Sequence, residues 1–126
     1  MTTRFITHQI TGKGRGKFIG YPTINMAIPD DMDLGFGVYA AWVTLSGVRC
    51  RGAMHWGPIP TFDDADSHLE VFLLDLSDHE LSHTDMSAID VEPVKKLRDI
   101  IKFPSVNALT QQMEKDVSSV RKTLVE

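Results

Sequence analysis

From Ser105 onward the apolar positions Val106, Leu109, Met113, Val117, Val120 and Leu124 recur at steps of three and four, the stripe of an amphipathic helix. Ser105 supplies a hydroxyl suited to its N-cap, and Pro104 lies just outside. Upstream the period shortens. Residues 4–10 are rich in β-branched and aromatic types and stop at Thr11-Gly12, which predicts a short first strand. Val38 to Leu45 and Val48 to His55 flank Ser46-Gly47, the spacing of a tight β-hairpin. Leu69 to Leu76 is a nearly continuous apolar run of strand length in which Glu70 shares a face with Phe72 and Leu74. A carboxylate on such a face calls for a reason. Ile89 and Val91 alternate like a strand within residues 85–98, and Pro93 restricts that strand to an edge or an interruption. Residues 29–37 and 57–66, rich in Pro, Gly and Asp, are expected to be long loops. Many strands followed by one helix predict a mainly β fold: a closed antiparallel barrel with a C-terminal α-helix packed on it.

A length of 126 residues is one domain's worth of chain, so a single domain over 1–126 is expected. With 42% hydrophobic and 24% charged residues the composition is that of an ordinary globular protein, which excludes disorder, collagen and coiled coil. The longest apolar run is six residues, Val38 to Val43, against the roughly 20 that a spanning helix needs. The first residues lack the apolar centre of a secretory signal, and a cytoplasmic location is the expectation. The lone Cys50 cannot form an internal disulfide and reads as a packing residue of a strand.

The net charge of −4 argues against a general nucleic-acid binder. Its distribution is more telling, because no acid precedes Asp30 while Arg4, Lys13, Arg15 and Lys17 all do. That pattern suits a small anion site. Gly12-Lys13-Gly14-Arg15-Gly16-Lys17-Phe18-Ile19-Gly20 carries four glycines in nine residues, so backbone amides can approach an anion closely. It is neither a Walker A loop nor Gly-x-Gly-x-x-Gly. The competing reading is a turn with solvated Lys and Arg. Tyr21-Pro22-Thr23-Ile24-Asn25 follows, and in an extended segment Thr23 and Asn25 point to one side. Both offer hard oxygens of the kind that hold Mg²⁺ jointly with nucleotide phosphates, although such residues near proline are also ordinary turn formers. His79-Glu80-Leu81-Ser82-His83 satisfies His-Glu-x-x-His, a zinc pattern when helical. Its bracketing by Ser77-Asp78 and Thr84-Asp85 instead predicts a solvated turn with accidental spacing.

The motifs from Gly12 to Asn25 resemble the Gly-x-Gly-Arg-Gly loop and Gly-x-Pro-Thr-x-Asn motif of the riboflavin kinase (flavokinase) family, found as the C-terminal half of bacterial bifunctional riboflavin kinase/FMN adenylyltransferases. Gly37-Val38-Tyr39, Pro60-Thr61-Phe62, Glu70-Val71-Phe72-Leu73-Leu74-Asp75-Leu76, and Leu97-Arg98 with Lys102-Phe103 and Ser105 resemble further family segments in the same order. The resemblance covers nearly the whole chain. It implies a six-stranded Greek-key barrel that transfers the γ-phosphoryl of ATP to the 5′-hydroxyl of riboflavin, giving FMN and ADP. It implies that Gly12, Lys13, Gly14, Arg15, Gly16, Lys17, Gly20, Tyr21, Pro22 and Thr23 bind the nucleotide, that Thr23 and Asn25 hold Mg²⁺, and that Glu70 is the general base. Leu97, Arg98 and Phe103 are the matched flavin contacts, with ordinary core packing as the alternative for Phe103. A monomer is the family expectation, with neither nucleic acid nor membrane as a partner.

Departures from the family pattern are His55 where Asn is frequent, Ile100 where Glu is frequent, and Leu81-Ser82-His83 in place of Leu-Tyr-Gly. They fall on the flavin side. The alternative function is accordingly a flavin- or nucleotide-binding barrel that has lost turnover, with a Zn²⁺ hydrolase through His79 and His83 as a third class.

Overall fold

The structure, a computed structural model, describes residues 4–12 and 20–125. Six antiparallel strands form one sheet: β1 (Phe5–Thr7), β2 (Ile24–Asn25), β3 (Gly37–Leu45), β4 (Val48–Ile59), β5 (Asp64–Leu73) and β6 (Ile89–Arg98). A one-turn helix α1 (Asp78–Ser82) lies between β5 and β6, and helix α2 (Val106–Thr123) follows β6.

The order in space is β1-β6-β3-β4-β5-β2. Strands β3, β4 and β5 follow one another as a meander and β6 returns beside β3, which is a Greek key. The sheet curls until its edges meet. Ile10 N–H donates to the Asn25 carbonyl at 2.8 Å and Ala27 N–H to the His8 carbonyl at 2.9 Å, so the segments just after β1 and around β2 close the barrel.

The β3–β4 turn is made by Ser46 (φ 47°) and Gly47 (φ 79°), both left-handed as a two-residue hairpin of matching twist requires. Beyond it β4 runs further than its composition suggests. The long loop expected over residues 57–66 is instead strand to Ile59, a 3₁₀ turn Pro60–Phe62, and strand again from Asp64. Ile59 pairs with Asp64, and a register shift between Gly57 and Ile59 absorbs Pro58, which has no N–H to donate. Asp63 turns the corner at φ 53°. The fifth strand therefore starts before Leu69 and ends at Leu73, and the first is confined to Phe5–Thr7. Pro93 sits within β6 past the stretch that β1 pairs, next to a register shift against β3, where a missing N–H costs little.

Alternation along the strands builds two apolar layers. Val43, Leu45, Met54, Leu69, Val71, Ile89 and Val91 fill the barrel interior, each essentially without exposure. One outward-facing pair of β3 and β4 is small, Ala40 opposite Ala53, which lets α2 lie close against the outside of the barrel. Val120 and Leu124 pack there on Ala40, Trp42, Ala53, Leu74 and Leu97. Each buried Val or Leu contributes roughly 1.5–3 kcal/mol. Ser105 caps α2 as its sequence predicts, accepting from Ala108 N–H at 3.0 Å. Among the described residues no helix is long and apolar enough to cross a membrane.

Candidate active site

Helix α2 covers only part of the outer barrel face, and a cleft of about 110 Å³ remains between its N-terminal half and the strands. The strand registers set a single row of outward side chains beneath it. Asn25 of β2 stands opposite Glu70 of β5, Glu70 opposite His55 of β4, His55 opposite Val38 of β3, and Val38 opposite Arg98 of β6. Residues directly opposite in antiparallel strands share a face. The carboxylate that looked out of place among Phe72 and Leu74 thus belongs to a row of side chains that runs across five strands. Phe62, Phe72, Leu109, Met113 and Val117 supply the apolar walls.

Thr23 is brought to Glu70 by the turn that precedes β2. Gly20 adopts φ 82°, a left-handed conformation that favours glycine, and Tyr21 then lays its ring edge-on to Phe72 with centroids 5.3 Å apart. Burial, with Glu114 nearby, raises the Tyr21 phenol above its ordinary value. From this anchor Thr23 Oγ1 donates to Glu70 Oε1 at 2.8 Å. Asn25 shares the row with Glu70, and its amide lies against Gly12, where a Cβ would come within 1.9 Å of Nδ2. A side chain at Gly12 would therefore have to displace the Asn25 amide. Asn25 and Gly12 line not this cleft but a separate cavity of about 350 Å³, with Ile10, Ile28 and His68.

Across the cleft, Arg98 is held by Asp116 of α2 through Nε to Oδ1 at 2.9 Å and Nη2 to Oδ2 at 2.8 Å. Gln112 Nε2 adds a bond to Asp116 Oδ1 at 3.1 Å. The Arg98 guanidinium carbon stands 5.5 Å from the Phe103 ring centroid, within cation–π range. Phe103 is positioned by its own N–H, which donates to Thr61 Oγ1 at 3.0 Å. His55 Nε2 lies 3.0 Å from the Gly57 carbonyl, which can only accept, so Nε2 carries the proton. Burial pushes the His55 pKa below its ordinary 6.5, outweighing that hydrogen bond and the nearby Glu70 carboxylate, and the ring is neutral at pH 7.

Of the residues expected in the site, the structure joins Thr23 to Glu70, places Asn25 and Gly12 beside them, and sets Arg98 and Phe103 together at the other side. Pro22 lies between Tyr21 and Thr23 in the same turn. Leu97 packs in the layer under α2 with Val120 and Leu124. Lys13, Gly14, Arg15, Gly16 and Lys17 lie outside the described residues. Asp116, Phe62, Phe72 and Met113 line the cleft without having been expected as site residues. Asp116 had a signal: it falls three residues after Met113 and four before Val120, inside the apolar stripe of α2, where a charge needs a partner. Where a turn was expected at residues 79–83, Asp78–Ser82 is helical and His83 is its C-cap, because Ser77 and Glu80 form a reciprocal capping box.

The family model described as Flavokinase, riboflavin kinase, matches residues 2–124. The chain belongs to the riboflavin kinase family. It is 35% identical over 94% of its length to the bifunctional riboflavin kinase/FMN adenylyltransferase of Haemophilus influenzae and 32% identical over 85% to that of Bacillus subtilis, covering 37% and 34% of those proteins. The RNA-binding riboflavin kinase RibR of Bacillus subtilis is 32% identical over 90% of the chain, which covers 47% of it. The chain thus spans between a third and a half of these relatives. A crystal structure of a macrolide-efflux protein from Streptococcus pneumoniae superposes with a TM-score of 0.77 at 28% identity, over 94% of this chain and 38% of that one. Membership in the riboflavin kinase family agrees with the observed six-stranded Greek-key barrel and its terminal helix.

Proposed function

We propose that this chain transfers the γ-phosphoryl group of ATP to the 5′-hydroxyl of riboflavin, with Glu70 as general base. The observation that carries the proposal is the 2.8 Å bond between Thr23 Oγ1 and Glu70 Oε1, which ties the segment following the glycine loop to a carboxylate at the mouth of an apolar cleft. Phosphoryl transfer is mainly a matter of positioning and charge neutralisation, with one acceptor for the hydroxyl proton. Glu70 is that acceptor: its Oε1 is oriented by Thr23, and Oε2 remains to take the proton from the attacking 5′-hydroxyl.

Thr23 and Asn25 would hold Mg²⁺, which when bound neutralises the phosphate oxygens. Their fit rests on donor chemistry. The Thr23 hydroxyl, although donating to Glu70, keeps a lone pair, and Asn25 offers an amide oxygen on the same face of the row. Two neutral protein oxygens suit an ion that takes most of its ligands from water and phosphate. The nucleotide is assigned to the side of Gly12, Gly20, Tyr21 and Pro22, with Lys13, Gly14, Arg15, Gly16 and Lys17 supplying amides and positive charge. The isoalloxazine is assigned to the cleft between Phe62, Phe72 and α2, with Arg98 and Phe103 beside it and Leu97 supporting from beneath.

The test is incubation of the protein with riboflavin, ATP and Mg²⁺, followed by chromatographic separation of flavins, with EDTA in parallel. FMN and ADP formed in equal amounts only with Mg²⁺ support the reading. Flavin binding by calorimetry without FMN would instead favour a binding barrel that has lost turnover, with His55 as the first residue to revert to Asn.

A further inference from the structure

The connection between β5 and β6 has a feature that riboflavin phosphorylation does not use. Helix α1 is only five residues long, far below the roughly 12–15 at which an isolated helix becomes stable. Its capping box holds it: Ser77 Oγ accepts from Glu80 N–H at 3.1 Å, and the Glu80 carboxylate accepts from Ser77 N–H at 3.0 Å. One helical turn then sets His79 and His83 on the same face, with ring centroids 4.6 Å apart. Both side chains are exposed.

Ser82 fixes the tautomer of one of them. Its hydroxyl donates to the His79 carbonyl at 2.7 Å, which commits its only proton. Toward His83 Nδ1, 3.0 Å away, Ser82 Oγ can therefore only accept. His83 must carry its proton on Nδ1, leaving the Nε2 lone pair facing outward. A hydrogen bond that fixes one ring nitrogen so that the other is free to ligate is how metal-binding imidazoles are oriented.

We propose that His79 and His83 form a surface site for a borderline divalent transition metal, Cu²⁺, Ni²⁺ or Zn²⁺, with two imidazole nitrogens from the protein and water in the remaining positions. Among the described residues no third His, Cys, Asp or Glu joins them, so the site is an exchangeable one and not a closed structural zinc centre. Glu80 is engaged by the cap and does not serve as a general base, which separates the site from a zinc hydrolase despite the shared His-Glu-x-x-His spacing. Imidazole ligands exclude Mg²⁺, and the order of affinity follows Cu²⁺ above Ni²⁺ and Zn²⁺. A metal held by His79 within α1 and by His83, its C-cap residue, also stiffens the crossover between the strands that carry Glu70 and Arg98.

The experiment is calorimetric titration of the untagged chain with NiCl₂ and with ZnCl₂ in excess Mg²⁺, repeated on His79→Ala, His83→Ala and Ser82→Ala. One equivalent bound by wild type, weakened at least about tenfold by either histidine substitution and to a smaller extent by Ser82→Ala, is the expected result. Circular dichroism of the three variants should match wild type, since the altered side chains are exposed. The absence of a saturable equivalent in wild type, or unchanged affinity in folded His79→Ala and His83→Ala, would overturn the proposal.

Discussion

Asp116→Ala removes the carboxylate that holds Arg98 against α2. Both side chains are nearly out of solvent, at 7% and 15% exposure, and they meet through close contacts at 2.8 and 2.9 Å. Removing one partner of a buried pair leaves a charge without compensation, which costs about 3–5 kcal/mol. Arg98 keeps a bond from Nη1 to the Asp99 carbonyl at 3.2 Å and its place near the Phe103 ring, so the low end applies, about 3 kcal/mol. For a chain of this size each kcal/mol moves the melting temperature by about 4 °C, and a fall of about 12 °C is expected. The assay is urea and thermal unfolding followed by circular dichroism. Replacing both partners, Asp116→Leu with Arg98→Met, should restore most of the loss, because the pair then becomes apolar packing. A loss under about 1 kcal/mol in Asp116→Ala would refute the reasoning, since that is the range of a solvated surface pair.

Other consequences can be measured on the same footing. Ser105→Ala deletes the N-cap of α2 and should destabilise by about 1 kcal/mol in denaturant unfolding. Gly12→Ala drives a methyl into the Asn25 amide, and the displaced ligand should lower Mg²⁺-dependent turnover by about a hundredfold in steady-state assays. His55 has a folded pKa below its ordinary 6.5, so below that pH the unfolded chain binds more protons than the folded one. Its contribution is intact above pH 6.5 and is lost as the pH falls through the folded value; His55→Asn should flatten the decline in melting temperature over that window. The Asp75 carboxyl, held below its ordinary 3.8 chiefly by the Arg51 hydrogen bond, gives a second decline at lower pH that Asp75→Asn should remove.

Local pattern carried the elements whose stabilising contacts are near in sequence. The stripe and cap of α2 and the Ser46-Gly47 turn could be read directly, because a helix face and a two-residue hairpin are set by spacing and turn chemistry. The segment from Gly57 to Asp66 could not, because the pairing of Ile59 with Asp64 and the bulge that takes up Pro58 belong to the barrel as a whole. The same limit divides the site. Thr23, Asn25 and Glu70 were legible as residues out of place, a carboxylate on an apolar face and two hard oxygens after a glycine loop. That Val38, His55 and Arg98 complete one row with Glu70 depends on registers across three strand pairs, with shifts between β3 and β6 that no local pattern reveals. The helix α1 was missed because flanking Ser and Asp mark turns and caps alike, and only the reciprocal bonds of Ser77 and Glu80 distinguish them.

The role of Glu70 is tested most directly by Glu70→Gln, which keeps the shape of the side chain and its acceptor oxygen for Thr23 while removing its basicity. With riboflavin, ATP and Mg²⁺ supplied, FMN formation should fall by about 10²–10⁴-fold, with riboflavin and nucleotide affinities by calorimetry within about threefold of wild type. FMN formation by the variant at the wild-type rate would contradict the assignment of Glu70 as the base and move the acceptor for the hydroxyl proton elsewhere in the cleft.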